Sequence, residues 1–194
     1  MIRSLRSAWI AAGLLVAGVA GVHADTVPAK NQALLMLRIL AYDHNLASRI
    51  DSKKTVNVVV VYKSGNSESE DASNELSSVI REVAKSTTVA NNAVAVTRVG
   101  FNEKTFDADI AKEKAAAIYV APGLADNLSA ISASTHQHKM LSFCAGEDCV
   151  TRGAAVGFAL ADDKPTILIN LPASRSEGAD LDAALLRVAK IIKR

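Results

Sequence analysis

Residues 56–62 carry the sequence VNVVVVY, and this β-branched run decides the fold. Polar residues bound it on both sides, Lys53-Lys54 before it and Ser64-Gly65 after it. A short run of branched apolar residues between such breaks favours a strand that is buried on both faces. Strands of that kind belong to parallel sheets covered by helices, so the run predicts an α/β protein.

The chain on either side of this run alternates between predicted helices and strands. Upstream, an opening helix is predicted over 29–49, with Pro28 suited to a first helical turn. Downstream, the further predicted strands are 93–99, 115–120 and 139–143. The helices between them are marked by apolar residues at helical spacing within 72–83, 106–111 and 124–131, with Thr105 as a candidate cap of the second. Repeated strand–helix units predict a mainly parallel sheet with flanking helices.

The pattern changes in the last third of the chain. Two strands, 153–160 and 166–170, are separated by the short polar segment 161–165, which predicts an antiparallel hairpin. Asp180 is the predicted cap of a final helix with apolar positions up to Ile192. The expected fold is α/β with a mixed sheet, a C-terminal β-hairpin and a closing helix, in a single domain over 25–194.

The amino-acid composition limits the classes of function that this protein can have. The 194 residues are 49% hydrophobic, 22% charged and 4% aromatic, which suits one globular domain. The formal net charge is +2, and Arg3 and Arg6 account for that surplus. The rest of the chain is balanced, so we expect no nucleic-acid partner.

The first 24 residues have the organisation of a secretory signal peptide. Arg3 and Arg6 precede an apolar and glycine stretch over 9–22, and Val22-His23-Ala24 places small residues at a cleavage site. An uncleaved anchor is the alternative, but a run of about 14 residues is shorter than the roughly 20 that span a bilayer. We therefore expect cleavage after Ala24, export to the periplasm and a mature chain that does not span the membrane.

The sequence contains none of the common motifs of enzymes or cofactor-binding proteins that we considered. No G-x-G-x-x-G follows a predicted strand, and neither a P-loop nor a G-x-S-x-G elbow is present. Gly65 and Gly123 follow the first and third strands, where α/β proteins often bind ligands, but single glycines there more often serve tight turns. We expect neither a catalytic set nor a bound cofactor.

His136-Gln137-His138 is a candidate metal motif. On a strand, residues two apart point to the same side and both imidazoles could share an ion. No third ligand is identifiable from spacing, and solvated histidines in a polar loop before a strand are the favoured interpretation of residues 132–138. We therefore expect no metal.

Cys144 and Cys149 are the two cysteines of the chain. Export places them in an oxidising compartment, and the four residues between them, including Gly146, can bring their Cα atoms to about 5–6 Å. A disulfide is the favoured interpretation; two free thiols and a redox switch are the alternatives.

The C-terminal third resembles the YfiR-like periplasmic family. The residues that carry the resemblance are Leu141-Ser142-Phe143-Cys144, Gly153, Val156, Phe158, Thr166-Ile167-Leu168-Ile169-Asn170-Leu171, Ala173, Arg175 and Leu185-Leu186. The resemblance implies a periplasmic regulator without catalytic activity. It further implies a membrane-bound signalling protein as partner, such as a diguanylate cyclase of cyclic-di-GMP signalling, repressed through its periplasmic sensory part.

Asn170 and Arg175 match the family pattern and are the candidate partner-binding residues. Structural roles compete with this one, because Asn170 can bond backbone groups of the following turn and Arg175 can pair with Glu177 or Asp180. A small-ligand sensing or solute-binding module is the alternative function, with the loops after Tyr62 or Val120 as its site.

Overall fold

The computed structural model describes residues 26–192, and strands and helices alternate along most of that range. The strands are β1 Thr55–Tyr62, β2 Ala93–Gly100, β3 Ala117–Val120, β4 Leu141–Ala145, β5 Val156–Ala161, β6 Lys164–Asn170 and β7 Lys190–Ile192. The helices are α1 Ala29–Ala41, α2 Ser67–Ala84, α3 Phe106–Glu113, α4 Leu128–His138, α5 Glu147–Thr151, α6 Leu171–Ser176 and α7 Ala183–Val188. Two short 3₁₀ turns, Leu46–Arg49 and Ala125–Asn127, complete the regular structure of this range.

The strands form one sheet in the order β2-β1-β3-β4-β5-β6-β7. Strands β1 to β5 are parallel, β6 is antiparallel to β5, and β7 is parallel to β6. The predicted class, a mixed and mainly parallel sheet with flanking helices, is confirmed.

Strand β1 shows why the sheet needs helices on both faces. Val58 and Val60 pack on the face covered by α1 and α2, whereas Val59 and Val61 pack on the face covered by α3 and α4. All four side chains are at most 1% exposed. Alternation of side chains along a strand sends successive residues to opposite faces, so a continuous valine run must be covered twice.

The predicted hairpin is formed by β5 and β6. Ala161 pairs with Lys164, and the two turn residues Asp162 and Asp163 both have positive φ, the geometry of a tight two-residue hairpin turn. The first strand starts at Val156 rather than at the predicted residue 153. Gly153, with φ of +125°, lies instead in the turn that follows α5.

The opening helix is shorter than the predicted range 29–49. It ends at Ala41, and the chain reaches Leu46–Arg49 through an irregular segment. The carboxylate of buried Asp43 accepts hydrogen bonds from the backbone N–H groups of Asn45 and Asp180 and pairs with the buried guanidinium of Arg49. These contacts hold the chain out of helical geometry at this point.

The structure also corrects the prediction for the closing helix. Helix α7 covers only Ala183–Val188, and its cap is Asp182, whose carboxylate accepts from the N–H of Ala184 at 2.6 Å. Asp180, the predicted cap, is held instead through its backbone: its N–H donates to the carboxylate of Asp43, and its carbonyl oxygen accepts from the N–H of His44. Ile192, predicted on the helix, belongs to β7, because the edge of β6 offers it a strand partner.

The predicted signal peptide, residues 1–24 with cleavage after Ala24, lies outside the described residues. Between residues 26 and 192, no helix is long and apolar enough to cross a membrane.

Candidate functional site

The carboxyl edge of the sheet gathers the loops that follow β1 and β3. The chain leaves β1 towards β2 on one side and later returns to β3 on the other, so the two loops diverge at this point. Parallel α/β proteins bind ligands at such a divergence, because the loops leave a crevice between them. The alternative site that the sequence suggested, after Tyr62 or Val120, lies here.

The two loops contact each other through Asn66 and Gly123. Gly123 has φ of +83°, and a Cβ atom there would lie 3.4 Å from the side chain of Asn66. Asn66 is itself fixed, because its Oδ1 accepts from the N–H of Ser69 and caps α2. Glycine at 123 therefore satisfies both a left-handed turn and a close approach.

A cavity of about 270 Å³ opens beside this contact. One wall is the loop after β3, from Val120 to Ala125, and the opposite wall is the loop from Cys144 to Cys149. Glu68, at the start of α2, and Asp148, in α5, are the exposed acidic groups at its border. A largely apolar pocket with few polar groups is typical of a site for a small organic molecule.

A disulfide closes the second wall of this cavity. Cys144 is buried at the end of β4, Cys149 lies in α5, and the structure joins them with a Cα–Cα separation of 6.5 Å. The predicted pairing is thus present in the structure. The bridge ties α5 to the sheet and removes most of the freedom of the intervening loop.

Gly157 is a residue whose importance the sequence analysis missed. A Cβ atom at this position would lie 2.3 Å from a methyl group of Val150 and 2.8 Å from the carbonyl oxygen of Gly146. Only glycine lets the disulfide loop pack directly on β5. The sole signal in the sequence was a glycine inside a predicted strand, which can mark a close backbone approach.

Asn170, a candidate partner-binding residue, is only 4% exposed. Its Oδ1 accepts from the N–H of Ala173 and caps α6, while its Nδ2 donates to the carbonyl oxygen of Val150 in α5. The side chain thus links the start of α6 to Val150, the residue after the disulfide loop. The predicted turn at 170–175 is the cap and first part of this helix, and it starts at the opposite edge of the sheet from the end of β4, because β6 runs antiparallel to β5.

Arg175, the second candidate, lies exposed on α6. Glu177 does not pair with it, because that carboxylate points into the interior. Between residues 26 and 192, no carboxylate lies within 4 Å of the Arg175 guanidinium. The pairings considered for Arg175 with Glu177 or Asp180 are therefore not formed, and its charge faces solvent.

Glu177 is a fully buried carboxylate that the sequence analysis did not identify. It accepts hydrogen bonds from the hydroxyl of Thr135 at 2.7 Å, and from the hydroxyl and N–H of Ser142 at 2.6 and 2.7 Å. Burial raises the pKa of Glu177 to about 7, although these bonds and the charge of Arg49 oppose the increase. The group ties the end of α6 to α4 and β4.

The histidine motif does not have the geometry of a metal site. His136 and His138 lie in the last turn of α4 and not on a strand, and residues two apart on a helix point in different directions. His138 pairs with Asp107, and His136 contacts the hydroxyl of Ser132. Over residues 26–192, no group of three or more metal-ligating side chains is assembled.

Comparison with known proteins agrees with the class that the fold defines, an α/β protein built on one mainly parallel sheet. The model of the YfiR/HmsC-like family matches residues 29–190. The chain belongs to this family, whose members are periplasmic regulators rather than enzymes. No curated protein matches the chain significantly.

Several solved structures share the fold. An ABC domain from Streptococcus pneumonia, in complex with L-Trp, has 14% identity and a TM-score of 0.59, over 85% of this chain and 60% of that one. A conserved domain protein from Vibrio cholerae has 16% identity and a TM-score of 0.59, over 86% and 60%. A substrate-binding protein with adhesive properties from Clostridium difficile has 14% identity and a TM-score of 0.57, over 84% and 59%. The chain thus spans about three fifths of these proteins, and the likeness shows the fold alone.

Proposed function

We propose that this protein binds the periplasmic sensory part of a membrane signalling protein, such as a diguanylate cyclase, and represses it without catalysing a reaction. Family membership supports a periplasmic regulator. We take the contact surface to comprise the disulfide loop, residues 144–149, and the segment 170–175 at the start of α6. The observation that carries the finer proposal is the hydrogen bond from Asn170 to Val150, which links the two.

This surface is preorganised for recognition. The disulfide fixes one segment, the Asn170 cap fixes the other, and the hydrogen bond from Asn170 to Val150 joins them. Rigid segments lose little conformational entropy on binding, which leaves more of the contact energy available as affinity. Asn170 acts from within the surface as a positioning residue.

Arg175 supplies the exposed charged contact of this surface. Its guanidinium is free of intramolecular ion pairs among the described residues, so a partner's carboxylate can engage it without displacing another group. Arginine is common among the residues that dominate protein interfaces, because it combines apolar stem contacts with a planar set of donors.

The test is capture of the partner from solubilised membranes of the source cell with the purified protein as bait, followed by a binding titration. Arg175→Ala should weaken binding about fivefold or more, with unchanged thermal stability. Arg81→Ala is the matched control. Arg81 is also an exposed arginine, but it lies on α2, which packs against β1 and β2 and not against the strands next to the proposed surface. Equal losses for both variants, or no captured membrane protein, would contradict this proposal.

A small-ligand sensing module is the second candidate function, and the 270 Å³ cavity is the observation that favours it. A pocket of this size fits a molecule such as an amino acid. The similar ABC domain was solved with L-Trp, which makes free amino acids, with L-tryptophan first, a reasonable panel of probes.

Thermal unfolding with these probes distinguishes the two functions. A ligand at 100 times its dissociation constant should stabilise the protein by about 2.7 kcal/mol. Ala125→Phe, which adds a ring at the border of the cavity, should abolish that gain, whereas Ala184→Phe on exposed α7 should retain it. Ligand stabilisation without partner capture would replace the repressor proposal with this one.

A further inference from the structure

Strand β2 ends the sheet on one side, and within residues 26–192 no strand lies beside its outer edge. The pairing register, together with the hydrogen bond from the N–H of Phe101 to the carbonyl oxygen of Tyr62, shows which backbone groups face β1. Because these directions alternate along a strand, the odd-numbered residues of β2 bond to β1 and the even-numbered residues face outwards. Eight backbone groups, four N–H and four carbonyl, are therefore left without a strand partner in the described range, and they belong to Val94, Val96, Arg98 and Gly100.

This edge lacks the features by which proteins usually protect an exposed strand. Such features are prolines, lysines, bulges and very short strands. Strand β2 has 8 residues, contains neither proline nor lysine, and pairs with β1 one residue to one along its whole length, which excludes a bulge. At the other end of the sheet, β7 has 3 residues and begins with Lys190. Of the two edges, β2 is thus the one that offers a long template for another strand.

The single charged residue of β2 is also held away from the free edge. The Nε and Nη2 atoms of Arg98 donate to the hydroxyl oxygen of Ser73 at 3.1 and 2.7 Å. The guanidinium carbon lies 4.4 Å from the centre of the Tyr62 ring. Ser73 belongs to α2 and Tyr62 to β1, so both contacts draw the charge towards the body of the protein. A charge held in this way does not repel a strand that approaches the edge.

The sequence of β2 is complementary to itself when a second copy runs antiparallel. Two-fold symmetry centred on Thr97 places Val94 opposite Gly100. It also places Val96 opposite Arg98, so that all four outward-facing residues meet outward-facing residues of the second copy. Like charges do not meet in this register, whereas a centre on Arg98 would bring two guanidinium groups together. Thr97 lies opposite its own copy, and threonine pairs between strands are favourable.

We propose that the β2 edge is the interface at which two copies of this protein pair, antiparallel and centred on Thr97, to form one continuous sheet. Such a pair satisfies the outward-facing backbone groups of both copies and leaves no free β2 edge. The surface proposed for the signalling partner lies on α5 and α6, which pack on β4, β5 and β6, away from this edge. The inference is therefore independent of the proposed function.

The decisive variant is Thr97→Lys, which places two ammonium groups opposite each other at the two-fold axis. Thr97 is exposed, so the variant should keep the melting temperature of the isolated fold. Ala93→Lys is the matched control, because Ala93 is exposed on the same side of the same strand but lies outside the paired segment 94–100. Thr97→Glu supplies the counterpart, since its mixture with Thr97→Lys brings opposite charges face to face.

Sedimentation velocity over a wide range of protein concentrations measures the pairing. We expect the wild type to dimerise reversibly and each Thr97 variant alone to dimerise about tenfold more weakly or worse. The mixture of the two should restore dimers, and Ala93→Lys should change the dissociation constant less than about twofold.

Hydrogen exchange identifies the edge that pairs. The amides of Val96 and Arg98 should exchange more slowly as dimers form, whereas those of residues 95 and 97, already bonded to β1, should change little. A protein that stays monomeric at every concentration overturns the proposal. Dimers that weaken equally in Thr97→Lys and Ala93→Lys, or that leave the Val96 and Arg98 amides unprotected, overturn it as well.

Discussion

Replacing Glu177 by glutamine should change the pH dependence of stability, because this carboxylate is buried in the folded protein and exposed when it unfolds. Its pKa is 4.5 in an exposed setting and about 7 in the fold. Between these values the folded state binds a proton that the unfolded state does not, so stability falls as pH rises. The Glu177 contribution is present in full below pH 4.5 and is lost as the pH rises towards about 7.

The magnitude follows from the two pKa values. One pH unit corresponds to about 1.4 kcal/mol for a single proton, so ionising Glu177 in place costs about 3 kcal/mol in total. Most of this loss, about 2 to 3 kcal/mol, occurs between pH 5 and pH 8. Glutamine has a similar shape and no charge, and its amide can still bond Thr135 and Ser142, whose hydroxyls can rotate.

The assay is urea unfolding of the wild type and Glu177→Gln at pH steps from 5 to 8. The free energy of unfolding of Glu177→Gln, relative to that of the wild type, should rise by about 2 to 3 kcal/mol between pH 5 and pH 8. All groups other than residue 177 are the same in both proteins and cancel in the difference. Glu103→Gln, at an exposed position, controls for the loss of one surface charge. Parallel curves for the wild type and Glu177→Gln would refute the reasoning.

Three further predictions concern the disulfide loop and export. Cys144→Ser should lower the free energy of unfolding by about 2 kcal/mol, and non-reducing peptide mapping of the wild type should find Cys144 linked to Cys149. Gly157→Ala should cost about 1 to 3 kcal/mol by urea unfolding, because its Cβ would overlap Val150; a neutral result would show that the loop can shift freely. Intact-mass analysis of the periplasmic fraction should find a chain that begins at Asp25, and retention of Met1 would contradict cleavage after Ala24.

Local patterns predicted the elements whose formation depends on neighbours in sequence. The valine run 56–62 predicted a strand buried on both faces, and the short polar segment 161–165 predicted the hairpin. The cysteine spacing predicted the bridge, since a ring of this size closes without help from distant residues. The motif over 141–190 pointed to the family that the comparison shows.

Elements that compete for distant partners were predicted wrongly or not at all. Helical spacing extended the last helix to Ile192, but the free edge of β6 draws that residue into β7. The opening helix was extended past Asp43, whose carboxylate binds the remote N–H of Asp180. Such outcomes depend on which partner lies nearby in the fold, and periodicity carries no information about that.

By itself, then, the sequence determined the parallel α/β class, the hairpin, the disulfide pairing and the family, because alternation, turn length and cysteine spacing act over a few residues. Tertiary structure alone decided that Glu177 is buried and that the side chain of Asn170 bonds Val150. These properties arise where segments far apart in sequence meet. That packing decides whether a charged or polar side chain is buried and which groups satisfy its hydrogen bonds.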